Sequence, residues 1–89
     1  MARFRQNPRS AGRVVEGTAF VVAPDDPAVL TLNDTATRVW ELADGDGATL
    51  DEIAAALHKQ FKVRLDSARA DAERLCSVLV ARGILEVTP

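Results

Sequence analysis

Apolar residues are distributed along this chain in two textures. From Arg13 to Leu32 they come as short runs, RVV, TAFVVA and AVLTL, interrupted at Glu16-Gly17 and at Pro24-Asp25-Asp26-Pro27. Runs rich in β-branched side chains and bounded by Gly or Pro predict strands. Gly17 can take the positive φ of a tight hairpin, and Pro-Asp-Asp-Pro is strong turn chemistry. The pattern therefore predicts three antiparallel strands in a meander. The continuous run through Phe20, Val21 and Val22 marks the second as central. The third, Ala28 to Leu32, is then an edge.

Beyond Leu32 the spacing changes to three and four. Asn33 is a good N-cap, and Ala36, Val39, Trp40 and Ala43 form one helical stripe that places the indole in the core. The sequence DGDGA ends that helix, because Gly45 or Gly47 can adopt the left-handed conformation. Thr49 and Glu52 form a capping box for a second helix with Leu50, Ile53, Ala54, Leu57 and Phe61 along one face. FKVRL reads as a linker, and Asp66 or Ser67 as the cap of a third helix to Arg82. Its central stripe is Ala68, Ala72, Leu75 and Leu79. Arg69, Glu73, Cys76 and Val80 lie on one flank, and Asp71, Val78 and Arg82 on the other. Gly83 ends the helix, with Ile84 and Leu85 folding back. The fold class is thus α+β, a winged helix-turn-helix-like domain with a three-stranded antiparallel sheet followed by three helices. Residues 1–12, with Pro8, Ser10 and Gly12 and no sustained period, read as a flexible basic N-terminal arm, and residues 13–89 as the folded domain.

Length and charge narrow the function classes. Eighty-nine residues enclose one modest core. The net charge of −2 argues against a general nucleic-acid binder, which carries a basic excess. That average hides a gradient, since Arg3, Arg5, Arg9 and Arg13 precede a strongly acidic stretch from Glu16 to Glu52. The single cysteine, Cys76, excludes an internal disulfide, and no signal peptide or membrane-spanning run is evident. These features predict a soluble, cytoplasmic domain.

Candidate chemistry is sparse. Asp44 and Asp46 suggest a calcium loop, but Ala48 and Ala55 stand where oxygen ligands belong. His58 is the only histidine; at the end of the second helix it suits the dipole better than a metal or a proton transfer. A nucleophilic Cys76 or Ser would need a base that nothing supplies. The expectation is no catalytic residue, no metal and no cofactor.

The ordered combination of Leu32, Asn33, Ala36, Val39, Trp40, Leu42, Asp44, Gly45, Thr49, Glu52, Ile53, Leu57, Asp71, Leu75, Leu79, Gly83 and Leu85 resembles the PqqD-like family. These are the small winged-helix domains also called RiPP recognition elements, RiPPs being ribosomally made peptides that enzymes later modify. The likeness spans about Arg13 to Val87, with an additional Asp46-Gly47 in the hinge. The resemblance implies a non-catalytic adaptor that takes the leader of a precursor peptide as an added strand. It then presents the core of that peptide to a modifying enzyme such as a radical-SAM protein, pyrroloquinoline quinone assembly being one such pathway. Carried onto this chain, the binding edge is Val29, Leu30, Thr31 and Leu32. The facing helix surface is Arg69, Ala72, Glu73, Cys76 and Val80, with Cys76 either lining the groove or buried in the core. An exposed strand edge suits β-augmentation on physical grounds as well.

Two other readings remain open from the residues. Helices two and three could form a helix-turn-helix that binds DNA, with His58, Lys59, Lys62 and Arg64 on phosphates. Against this, Arg69, Asp71, Glu73 and Arg74 alternate in sign where free donors are needed. An open strand edge could also pair with its own copy in a homodimer.

Overall fold

A computed structural model describes residues 1–89. Its elements are β1 (Arg3–Gln6), β2 (Ala11–Val15), β3 (Thr18–Ala23), β4 (Asp26–Thr31), α1 (Asp34–Leu42), α2 (Leu50–Phe61), α3 (Leu65–Ala81) and β5 (Leu85–Thr88). Strands β2, β3 and β4 form the predicted meander with β3 central, and the three helices follow in the predicted order. The β2–β3 turn places Glu16 and Gly17 at φ of 51° and 81°. Positive values at both central residues give the turn a twist that matches its strands.

Ala19, Val21 and Ala23 point from β3 into the core, where they meet Ala36, Val39 and Trp40 of α1. Ile53 and Leu57 of α2, Ala68, Ala72, Cys76 and Leu79 of α3, and Ile84 and Leu85 complete it. The helical stripes thus pack as their spacing requires. Asn33 caps α1 by accepting the Ala36 N–H at 2.9 Å. Thr49 and Glu52 make both bonds of the capping box on α2. The Thr49 amide and hydroxyl, helped by Arg3, hold the Glu52 carboxyl below its ordinary value. A lowered carboxyl stabilises the fold at neutral pH, and that contribution is lost as pH falls through the lowered value.

Three starts differ from expectation, and the first is β2, which begins at Ala11 and not at Arg13. α3 begins at Leu65 with Arg64 in the cap position and no side-chain cap bond. Asp66 is consumed in the first turn, where it accepts the Ser67 N–H and pairs with Arg64. β4 begins at Asp26, because that residue already pairs with Ala23 across a bulge.

The larger correction concerns residues 1–12. They do not hang from the domain as a basic arm: Arg3–Gln6 pairs antiparallel with β5, from Arg3 opposite Thr88 to Gln6 opposite Leu85. Its other edge meets the hinge, with Phe4 and Ala48 exchanging backbone bonds of 2.8 and 2.9 Å. Gly47, at φ 80°, lies so close that a Cβ would stand 2.3 Å from the Phe4 carbonyl oxygen. The Asp46-Gly47 pair in the hinge is therefore the seat of β1. The charge gradient resolves into pairs, Arg3 with Glu52, Arg5 with Glu86 and Arg9 with Asp25. Deleting residues 1–6 should therefore cost about 2–4 kcal/mol in lost pairing and Phe4 burial. Thermal unfolding should fall by roughly 10–25 °C; a change within about 2 °C would restore the reading as a dispensable tail.

Candidate peptide-binding groove

β4 is bonded on one side only. Leu32 donates its N–H to the Ala19 carbonyl at 2.9 Å, and the register places Leu30 opposite Val21. In an antiparallel ladder the paired residues alternate, so Leu30 and Leu32 turn their backbone groups to β3. Val29 and Thr31 turn their N–H and C=O groups outward, where no strand lies beside them. Of the four residues expected to form the edge, Val29 and Thr31 thus provide its free bonding groups. Leu30 is half-buried and packs on the core, and Leu32 is buried.

α3 packs on α2, β5 and α1, whereas β4 packs on β3, so β4 and α3 are not packed closely on one another. The C-terminal end of α3 meets the start of β4 across a cleft of about 260 Å³ that includes Arg82, Pro24, Asp25 and Asp26. From Arg82 one flank of the helix rises through Val78 and Leu75 to Asp71. Val78 is 47% exposed and Leu75 half-buried. Along β4 the five steps from Asp26 to Thr31 span roughly 16 Å. The helix from Arg82 to Asp71 covers roughly the same distance.

The residues carried over for the helix side are placed elsewhere. Arg69 pairs with Asp51 in the first turn of α2 and with Glu73 on its own helix. It also borders a recess with Met1, Phe4 and Leu50, on the β1 side of the molecule. Glu73 and Val80 share that flank by helical geometry. Ala72 and Cys76 are 0% and 1% exposed and belong to the core. Burial pushes the Cys76 thiol up to about 11, so it stays neutral near pH 7. The flank of α3 that shares a cleft with the start of β4 is therefore the one bearing Asp71, Leu75, Val78 and Arg82. Arg69 also bears on the helix-turn-helix reading. With Arg64 on Asp66, Arg69 on Asp51 and Arg74 on Asp71, the arginines within α3 and at its N-cap are already engaged.

No group of three or more potential metal ligands occurs, and no helix is long and apolar enough to cross a membrane. The His58 ring N–H donates to the Val63 carbonyl, which ties it to the α2–α3 connection.

The fold defines a small α+β domain of the winged-helix kind in which β4, an edge strand of the three-stranded sheet, starts beside the end of α3. Residues 18–85 match the family model described as coenzyme PQQ synthesis protein D, and the chain belongs to this PqqD family. Among solved structures it is similar to one described as TbiB1 in complex with the TbiA(beta) leader peptide. That match has a TM-score of 0.82 at 16% identity, and covers 92% of this chain and 94% of the other. No curated protein sequence matches it.

Proposed function

We propose that this domain binds the leader segment of a ribosomally made precursor peptide as a strand on β4 and presents the rest to a modifying enzyme. The observation that carries the reading is the open edge at Val29 and Thr31, on a strand whose start shares a cleft with Arg82 at the end of α3. Main-chain bonds there supply affinity with little dependence on sequence. Side chains of the peptide that point inward meet Leu30, Leu75 and Val78, and Arg82 attracts an acidic residue at the end of the groove. Membership in the PqqD family and the likeness to a leader-bound structure support the same reading. The domain contributes no chemistry of its own; it raises the local concentration of substrate at a separate enzyme, such as a radical-SAM protein.

The test is calorimetric titration with the leader of a precursor encoded beside this chain's gene. Wild type should bind at micromolar concentrations or tighter, and Val78→Asp should weaken binding by about tenfold by placing a charge on the apolar wall. Its melting temperature should stay unchanged, because Val78 is exposed. Absence of binding by wild type, or indifference of binding to Val78→Asp, would overturn the groove.

A further inference from the structure

The outer face of the β2–β3–β4 sheet has no element covering it. Phe20 and Val22 alternate with the buried core residues of β3 and so point away from the helices. The register sets Arg13 and Thr31 on either side of Phe20, and Val29 beside Val22. Phe20, Val15 and Val29 are 38%, 44% and 60% exposed, an apolar face with one charge among its members. That charge is distinctive. Every arginine except Arg13 and Arg82 forms an ion pair, and Arg82 lies at the end of the groove.

We infer that this face is a second docking surface, and that its occupant is a partner protein presenting apolar side chains around a carboxylate that meets Arg13. A second copy of the chain suits it poorly, since a two-fold contact on this face brings Arg13 towards its own copy. The area points the same way. Three strands about 4.8 Å apart and about five residues long give roughly 240 Å², against about 800 Å² per partner in a stable interface. Such a surface suits a transient heterologous contact. It is also continuous with the β4 edge, because the side chains of Val29 and Thr31 lie on it while their backbone groups face the groove. A strand added to β4 would extend the face by about one third, with its own outward side chains completing the surface. In this respect the inference rests on the proposed peptide binding. The partner would recognise domain and peptide together and would dock more tightly on the loaded form.

The test uses the purified modifying enzyme encoded beside this chain's gene as the probe. It is titrated into the domain alone and into the domain saturated with its leader peptide. Peptide should tighten enzyme binding, and Arg13→Glu and Phe20→Thr should each weaken it by about tenfold or more. Both variants should keep peptide affinity within about twofold, because neither touches the groove or its bonding groups. Threonine retains strand propensity at position 20, so the fold is preserved. Enzyme binding unchanged in both variants would overturn the inference. So would sedimentation showing self-association that these variants abolish, since the occupant would then be a second copy. If no peptide binds, the proposed function fails separately; loss of peptide-free enzyme binding in the variants would still support the face.

Discussion

Val29→Pro should lower affinity for the leader peptide by at least about tenfold while leaving the domain folded. The size follows from one lost main-chain bond, about 1 kcal/mol or more, and from a pyrrolidine ring placed in the path of the incoming strand. Stability should change little, for a reason specific to this register. The backbone groups of Val29 face outward, so its N–H is not used by β3. Proline is tolerated on an edge strand in that orientation. It also requires an extended residue before it, and Ala28 lies within β4. Val29→Thr retains the N–H and the strand propensity, and should bind within about threefold of wild type. Titration of the two variants, with thermal melts as the control for folding, separates strand addition from side-chain contact. Equal peptide affinity in Val29→Pro and wild type would place the peptide elsewhere than on β4.

How far the sequence alone reached depends on the range of each signal. Asn33, Thr49 and Glu52 act within one helical turn, so their caps could be read directly and are present in the structure. The stripes through Trp40, Leu57 and Leu79 report burial by their spacing alone. β1 carried no comparable signal, because its partner Thr88 is 85 positions away from Arg3. Four residues opening on alternating arginines look like a solvated tail until β5 and the acids of distant segments supply their partners. The helix side of the proposed groove was open in the sequence for a geometric reason. A central stripe on α3 leaves two flanks of similar apolar character, and nothing local says which one faces β4. Arg69 looked like a free groove charge only until Asp51 was brought beside it by the packing of α2. Gly47 had a legible clue, since an additional Gly-containing pair in a hinge suggests a close approach of backbone.

Thr37→Val should be the most damaging conservative change in the molecule. No apolar or capping pattern singles out Thr37, yet it is 4% exposed. Its hydroxyl accepts the Ala19 N–H at 3.1 Å and donates to the Leu32 carbonyl at 3.2 Å. Ala19 and Leu32 occupy the ladder position where β4 turns away into α1. The bond from Leu32 to Ala19 is made directly, and the hydroxyl bridges the return bond. One side chain thus joins the last rung of the sheet to the first helix. Valine matches its shape but leaves a buried donor and a buried acceptor unpaired. At about 1–3 kcal/mol for each unpaired group the loss should reach about 2–4 kcal/mol, partly offset by the added methyl. For a domain of this size that lowers the melting temperature by roughly 10–25 °C. Thr37→Ser keeps the hydroxyl and should lose only about 1 kcal/mol for the missing methyl. Hydrogen exchange at the Ala19 amide gives the local reading, because faster exchange there must accompany the loss of its acceptor. A melting temperature within about 2 °C of wild type for Thr37→Val would show that water replaces the hydroxyl at no cost. The register that aims Val29 and Thr31 at the groove would then be held by the strand pairing alone.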